Sequence, residues 1–254
     1  MTLETLLMTQ IYAFLLIFSR IGAAFMTLPG FSDATVTPQI RLLFALCFSL
    51  LLTPVLYTFL PAQPPNVFGL AFLIGREMLI GIFIGGLVQI MMSTLAFAGF
   101  LIATSMSMSN AFIFSPTMSS SSTVIGTFMV MLGTTLFFAL DMHHQVITGL
   151  IDSYQIFVPG SEIFAGDMAQ HMADVIGESL VLGLKIAAPF LVIIIGILFA
   201  MGLVARLVPQ VQVFVLSVPV QMLVGSITLI TILSSMMMYF MSEFGLYLNH
   251  FLTE

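Results

Sequence analysis

Charge is what this sequence has least of. Only 6% of its 254 residues are charged, five Lys+Arg against eleven Asp+Glu, while 60% are hydrophobic. A soluble domain carries roughly 25% charged residues, so this chain cannot coat a water-facing globule of its size. A soluble enzyme, a disordered tail and a secreted disulfide-stapled domain are excluded together. So few basic residues, in a chain of net charge −6, also exclude a nucleic-acid binder, which needs clustered Lys and Arg against phosphate. There is no Trp, which leaves interfacial anchoring to Tyr57, Tyr154, Tyr239 and Tyr247. The single cysteine, Cys47, has no partner for an internal disulfide and reads as a small buried hydrophobe. The first residues carry Glu4 and no Lys or Arg, so the first helix is expected to stay rather than be cleaved as a signal peptide.

What is present is uninterrupted apolarity. No charged side chain occurs from Leu42 to Gly75, Met78 to Leu140, Ile186 to Ala205, or Leu207 to Ser242. A helix crosses a bilayer core of roughly 30 Å with about 20 apolar residues. The runs do not alternate, so they are helices and not barrel strands. The expected fold class is all-α: a polytopic helical membrane protein with about six long apolar helices in hairpins. The segments are Leu6–Leu28, closed by Pro29-Gly30; Ile40–Leu60, entered through Thr37 as N-cap and Pro38 at N1 and ended by Pro61 to Pro65; Val67–Ala103; Thr123–Leu140; Leu180–Val204; and Val211–Met241. The third is too long for one straight crossing and reads as a long, tilted or broken helix, or as a fold-back. Charge placement then orients the chain. Asp141 to Glu178 holds six acids and no Lys or Arg, whereas Arg41 and Arg206 mark other turns. The positive-inside rule puts those two turns in the cytoplasm, and the acidic loop and both termini outside. Lys185 is the misfit, expected to snorkel or to pair with Glu178.

Few residues here can carry chemistry. Arg20, Arg76 and Glu77 lie within apolar runs, where ionisable groups are costly and need partners in the protein interior. A structural ion pair is the favoured reading, ahead of a proton or ion relay. Glu77, Gly81 and Gly85 share one helix face, which suits close helix packing. Asp141, His143 and His144 lack an obvious complete ligand set, with His171 placed far off in a loop, so neither metal nor cofactor is expected. No nucleophile or phosphate-binding motif is visible, so no enzyme is expected. The stretch Thr104 to Ser122, rich in Ser and Met and without charge, is irregular and lies near membrane depth. Such backbone is tolerated only when buried in protein or lining a cavity. It reads equally as a deformable plug or as an ordinary re-entrant loop.

The chain resembles a known family through Arg20-Ile21-Gly22-Ala23 followed by Pro29, the turn from Pro38 to Arg41, Glu77 to Gly81, and Ala98-Gly99. Leu184 to Pro189 also fits, as do Arg206, Pro209 and Gln210 at the turn before the last long helix, and Pro219 within that helix. These pieces resemble the R-type subunit (FliR, called SctT in injectisomes) of the type III secretion export gate. One departure is Gln212, where that family often has Asn. The resemblance implies a single subunit, 1–254, in which 1–175 is like a P-type subunit and 176–254 like a Q-type helical hairpin. It implies P-type and Q-type partners (FliP, FliQ), the associated switch protein FlhB and FlhA, a lipid bilayer and unfolded export substrates. The expected location is the bacterial inner membrane at the flagellar basal body. It further implies a pore plug at Met106, Ser107, Met108, Ser109, Asn110, Phe112, Phe114, Pro116 and Met118. Arg20, Arg76, Glu77, Gly81, Gly85 and Lys185 would be buried ionic or packing residues; Arg41, Arg206, Pro209, Gln210 and Pro219 would shape the inner turns and helix bends. The competing readings are a stand-alone secondary transporter, which would show internal repeats, and a membrane scaffold without a pore. The only repeat-like echo is Pro38-Gln39-Ile40 against Pro209-Gln210-Val211.

Overall fold

The computed structural model describes residues 3–32, 36–108, 123–161, 165–208 and 213–253. Every regular element among them is helical. The order is α1 (Leu3–Thr27), α2 (Pro38–Leu56) continued by one 3-10 turn (Tyr57–Phe59), α3 (Val67–Ser105), α4 (Val124–Ala139), α5 (Met142–Ile156), α6 (Ala165–Leu207) and α7 (Val213–Thr253).

Punctuation residues set the boundaries. Past α1 the chain turns through Pro29 and Gly30, where Gly30 takes φ +81 and the Ser32 amide donates to the Leu28 carbonyl at 2.8 Å. Pro38 opens α2 at the first helical position, and Thr37 precedes it in extended conformation without a side-chain cap bond. The proline-rich stretch 61–65 separates α2 from α3. The Thr123 hydroxyl oxygen caps α4 by accepting from the Gly126 amide at 3.0 Å.

Three helices are longer than a bilayer requires. α3 is unbroken over 39 residues, about 58 Å at 1.5 Å per residue, against a hydrocarbon core of roughly 30 Å. The fold-back is thereby excluded. α6 spans 43 residues and α7 spans 41, with Pro189 and Pro219 inside them. Among the described residues, five helices are long and apolar enough to cross a membrane, or six spans if α4 and α5, joined at a bend, count as one. The expected outer loop 141–178 is largely helix: α5 fills its first half, and α6 starts at Ala165, well before the expected Leu180. Polar composition hid these turns from a reading keyed to apolar runs.

The chain forms two compact units. Unit 1 comprises residues 1–91, 141–175 and 248–254; unit 2 comprises 92–140 and 176–247. In unit 1, α1 packs on α2, whose inward face is the small-residue row Ala45, Ser49 and Thr53 followed by Leu56. The Ser49 and Thr53 hydroxyls donate to carbonyls one turn back, at 2.6 and 2.7 Å, which satisfies them without a partner helix. In unit 2, α3 and α4 touch backbone to backbone: a Cβ on Gly99 would stand 2.4 Å from the Gly126 Cα. A Cβ on Gly183 of α6 would meet the Phe97 ring at 2.7 Å. Small residues let helices approach where the lipid offers no hydrophobic drive.

Large apolar side chains stand exposed along α2 (Leu43, Leu50, Leu51), early α3 (Phe68, Phe72), α6 (Val192, Ile195, Phe199) and α7 (Ile230, Met238). Patches of this extent fit a bilayer or apolar partner subunits. Two residue expectations change here. Cys47 is exposed on α2 instead of buried, because α2 turns its small residues inward. Tyr154 and Tyr247 are buried, at 0% and 9% exposure, which leaves Tyr57 and Tyr239 as the exposed aromatic anchors.

Candidate functional site

Two places gather the polar side chains that the sequence singles out. The first is the heart of unit 1. Arg20, on α1, and Glu77, on α3, are 0% and 1% exposed, and Arg20 Nε donates to Glu77 Oε2 at 2.7 Å. The guanidinium does more than pair. Its Nη1 donates to the Ser153 carbonyl at 3.1 Å and hydroxyl at 3.2 Å, and its Nη2 donates to the Phe157 carbonyl at 2.7 Å. Ser153 belongs to the last turn of α5, and Phe157 is its C-cap. The Ser153 carbonyl already accepts from the Phe157 amide at 2.8 Å, so Arg20 is its second donor, while the Phe157 carbonyl stands past the last turn, and both lie at the negative end of the helix dipole. Arg20 therefore neutralises a carboxylate on α3 and caps α5 at once. The Tyr154 ring lies 3.9 Å from the guanidinium carbon, a cation–π contact.

The glycines after Glu77 explain how α3 comes this close. A Cβ on Gly81 would stand 2.2 Å from the Arg20 carbonyl oxygen, and one on Gly85 would stand 2.1 Å from Thr27 Oγ1. Only a bare backbone fits there. The two turns Glu77–Gly81–Gly85 thus lie flush on α1, with the ion pair at one end.

The other predicted ionic residues stand outside this cluster. Arg76 is half-buried, its guanidinium 5.8 Å from the Phe72 ring. Lys185 is exposed, and among the described residues it forms no ion pair with Glu178. Arg41 is half-buried, its Nη2 donating to the Val36 carbonyl at 3.4 Å. Arg206 is exposed in the last turn of α6, where a cation complements the helix dipole, and Pro219 is exposed within α7. Pro209 and Gln210 lie outside the described residues.

The second place is in unit 2, at the end of α3. Of the nine expected plug residues, Met106, Ser107 and Met108 are described; Ser109, Asn110, Phe112, Phe114, Pro116 and Met118 lie outside the described residues. Met108 N donates to the Ala103 carbonyl and Ser107 N to the Thr104 carbonyl, both at 3.0 Å. This pair of bonds is a Schellman termination, with Ser107 at φ 57 in the left-handed position that glycine ordinarily fills. The conformation costs a serine on the order of 1 kcal/mol. The Ser107 hydroxyl donates to Gln221 Oε1 on α7. Gln221 is 4% exposed and Met106 2%. Met106 packs against Gly225, one turn beyond Gln221.

Asp141, His143 and His144 come closer than expected, with one ligand atom from each within 4.8 Å of the others. Asp141 and His144 are exposed at the N-terminal end of α5, where the helix dipole works against a cation. His171 is not in a loop: it is half-buried on α6, its ring 6.3 Å from that of Phe83, beside a half-open cavity of about 460 Å³.

Ser153, Tyr154, Phe157, Gln221 and Gly225 are the site residues that sequence reasoning missed. Pro159 and Gly160, the latter at φ +90, are the signal that marked the end of α5.

The family described as bacterial export proteins, family 1, matches residues 11–246. The chain is similar to the flagellar biosynthetic protein FliR of Caulobacter vibrioides, 36% identical over 216 residues, covering 85% of this chain and 86% of that one. It is similar to FliR of Bacillus subtilis, 29% identical over 249 residues, covering 92% and 91%. It also resembles the Yop proteins translocation protein T of Yersinia pestis, 26% identical over 175 residues, covering 68% and 67%.

Proposed function

The chain belongs to the bacterial export proteins, family 1, the family of FliR, and from that membership we propose that it is a pore-forming subunit of the type III protein export gate in the bacterial inner membrane. A component of type III export, with a flagellar role in its named relatives, is the coarser statement that the match over residues 11–246 carries. Several features of the chain support the finer one.

The five apolar helices of crossing length and the bent pair found among the described residues suit a multi-pass protein. Helices well beyond bilayer length, with apolar faces exposed in the single chain, suit a subunit that buries them against neighbours. Those neighbours would be FliP-type and FliQ-type subunits, with FlhB and FlhA associated. Residues 1–175 would act as the P-like part and 176–254 as the Q-like hairpin, built on α6 and α7. The uncharged stretch 104–122 would close the pore against ions: it offers no fixed charge to hold one, and its Met side chains can refill a changing gap. The chain itself would carry no catalytic step and need no cofactor. Its cargo would be unfolded substrate protein on its way to the growing flagellum.

The test is an affinity pull-down of the C-terminally tagged chain from mild detergent, with mass spectrometry of what accompanies it. P-type and Q-type subunits in one stable large particle are expected. A monodisperse chain that by itself takes up a small solute would replace this reading with a stand-alone transporter. Recovery of the particle without any crosslink from position 112 to a substrate arrested in transit would favour a scaffold with no pore.

A further inference from the structure

Unit 1 holds the half-open cavity of about 460 Å³ beside His171, where the end of α5 and the start of α6 meet α3. Small-molecule sites enclose roughly 300–1,000 Å³, so a compact ligand fits. Three rings line it: Phe83 of α3, Phe157 at the C-cap of α5 and His171 of α6. The Phe83 ring centroid lies 6.1 Å from that of Phe157 and 6.3 Å from that of His171, so the three make one aromatic surface. Ile156 and Met168 add aliphatic wall. Asp167 and Ser161 supply oxygen, and both offer acceptors only. Asp167 is an exposed acid in the first turn of α6, and among the described residues no cation pairs with it. The Ser161 hydroxyl donates its proton to the Val158 carbonyl at 2.7 Å and keeps its lone pairs for a ligand. The negative end of the α5 dipole lies here as well. The Arg20 guanidinium, which also reaches Phe157, is already matched by Glu77.

We propose that this cavity binds a guanidinium group carried on an alkyl arm. A guanidinium is planar, donates from every nitrogen and accepts nothing, which matches a lining that offers acceptors. It stacks on aromatic faces, is weakly hydrated, and meets a carboxylate with two parallel hydrogen bonds. The three rings would take its face, Asp167 and Ser161 its N–H groups, and Ile156 and Met168 the arm. An ammonium holds its water more tightly and lacks the flat face. An anion would meet the Asp167 carboxylate. The surroundings favour a cation further, since Asp141 to Glu178 holds six acids and no Lys or Arg. The chain already uses this chemistry once. Arg20 lies against the Tyr154 ring at 3.9 Å, pairs with a carboxylate, and donates to oxygens of Ser153 and Phe157. A bound guanidinium would repeat that set from outside. A diffusible guanidinium compound and an arginine side chain of an adjoining subunit present the same group. The site is built by one chain and does not rest on the pore-forming reading.

The experiment uses the full-length chain in a non-ionic detergent, and then the gate co-expressed with its partners. Equilibrium dialysis measures binding of n-butylguanidinium and of n-butylurea, its uncharged counterpart of like shape. We expect saturable binding of n-butylguanidinium by the single chain, and binding of n-butylurea weaker by at least about tenfold, because the charge-assisted bonds are lost. Asp167→Asn should weaken n-butylguanidinium by about tenfold and leave n-butylurea unchanged. Phe157→Leu should weaken both. Should Phe157→Leu fail to fold, Asp167→Asn decides, because that side chain is exposed and holds no ion pair among the described residues. No saturable binding, equal affinity for the two probes, or affinity unchanged by Asp167→Asn each overturns the site. The gate then separates the two sources. Binding retained in the gate assigns the cavity to a diffusible guanidinium compound. Binding lost in the gate, with partners shed by the Asp167→Asn gate, assigns it to an arginine of an adjoining subunit. Binding lost while the Asp167→Asn gate keeps its partners means that a neighbour merely covers the cavity, and the proposal falls.

Discussion

Unit 1 buries charge and saturates it; unit 2 places no charge at its key contact and closes it with one neutral hydrogen bond. In unit 1 the Arg20 guanidinium makes four hydrogen bonds to two other helices and their ends, and a tyrosine ring covers it. In unit 2 the end of α3 meets α7 through a serine, a glutamine, a methionine and a glycine. Both solve the same problem of holding long apolar helices in one register where the lipid does not select it. A buried ion pair contributes little net stability but penalises every arrangement that separates its members. A lone neutral bond sets a position and can be exchanged. The two contacts therefore differ in how tightly each fixes its helices: a match of charges in unit 1, one exchangeable hydrogen bond in unit 2.

The largest effect should come from splitting the pair. Glu77→Ala leaves Arg20 buried without its carboxylate, and loss of one partner from a buried pair costs about 3–5 kcal/mol. Gln221→Leu, the matching change in unit 2, should cost about 1 kcal/mol. Thermal unfolding of the detergent-purified chain, read by protease resistance, would rank them; equal loss would break the comparison. The double change Arg20→Met with Glu77→Leu sharpens it. It should recover most of the Glu77→Ala loss, but not all, because the Phe157 carbonyl stays uncapped.

Glycine contacts should come next and should not distinguish the units. Gly81→Ala drives a Cβ into the Arg20 carbonyl, and Gly99→Ala drives one into the α4 backbone at Gly126. Both neighbours are main chain and cannot swing aside, so each change should cost about 1–3 kcal/mol as the helices part. Gly225→Ala meets the flexible end of Met106 and should cost less than either. A Gly225→Ala loss as large as that of Gly99→Ala would mean that the α3–α7 contact is as rigid as the α3–α4 one, against the contrast drawn above.

The sequence made some of this legible. Long charge-free runs announced the helices, and proline and glycine marked the turns at 29–30, 38 and 61–65. Arg20 and Glu77 stood out because charge at membrane depth must find a partner. The partner's geometry was not legible, because 57 residues separate them and nothing local encodes their meeting. The third member of the cluster was hidden for another reason. Phe157 contributes only a main-chain carbonyl, and Ser153 a carbonyl beside its hydroxyl; a carbonyl has no letter in the sequence. Helix α5 was missed because its polar composition lacks the apolar signal used to find spans. Gln221 was overlooked inside an apolar run that reads as lipid-facing throughout. Ser107 was marked for composition, while its left-handed turn, the feature that gives its hydroxyl a task, depends on where α3 stops.

The smallest predicted effect is the most discriminating for unit 1. Tyr154 is fully buried and its ring faces the Arg20 guanidinium at 3.9 Å, yet its hydroxyl has no hydrogen-bond partner among the described residues. If the ring is what unit 1 uses, Tyr154→Phe keeps the cation–π face and removes an unsatisfied polar atom. It should then be neutral or stabilising by up to about 1 kcal/mol. Tyr154→Leu loses the ring face and should cost about 1–2 kcal/mol beyond that. A Tyr154→Phe loss matching that of Tyr154→Leu would show that the hydroxyl carries the contact. The cluster would then depend on a polar network wider than Arg20, Glu77 and the end of α5, and the contrast with the single hydrogen bond of unit 2 would grow accordingly.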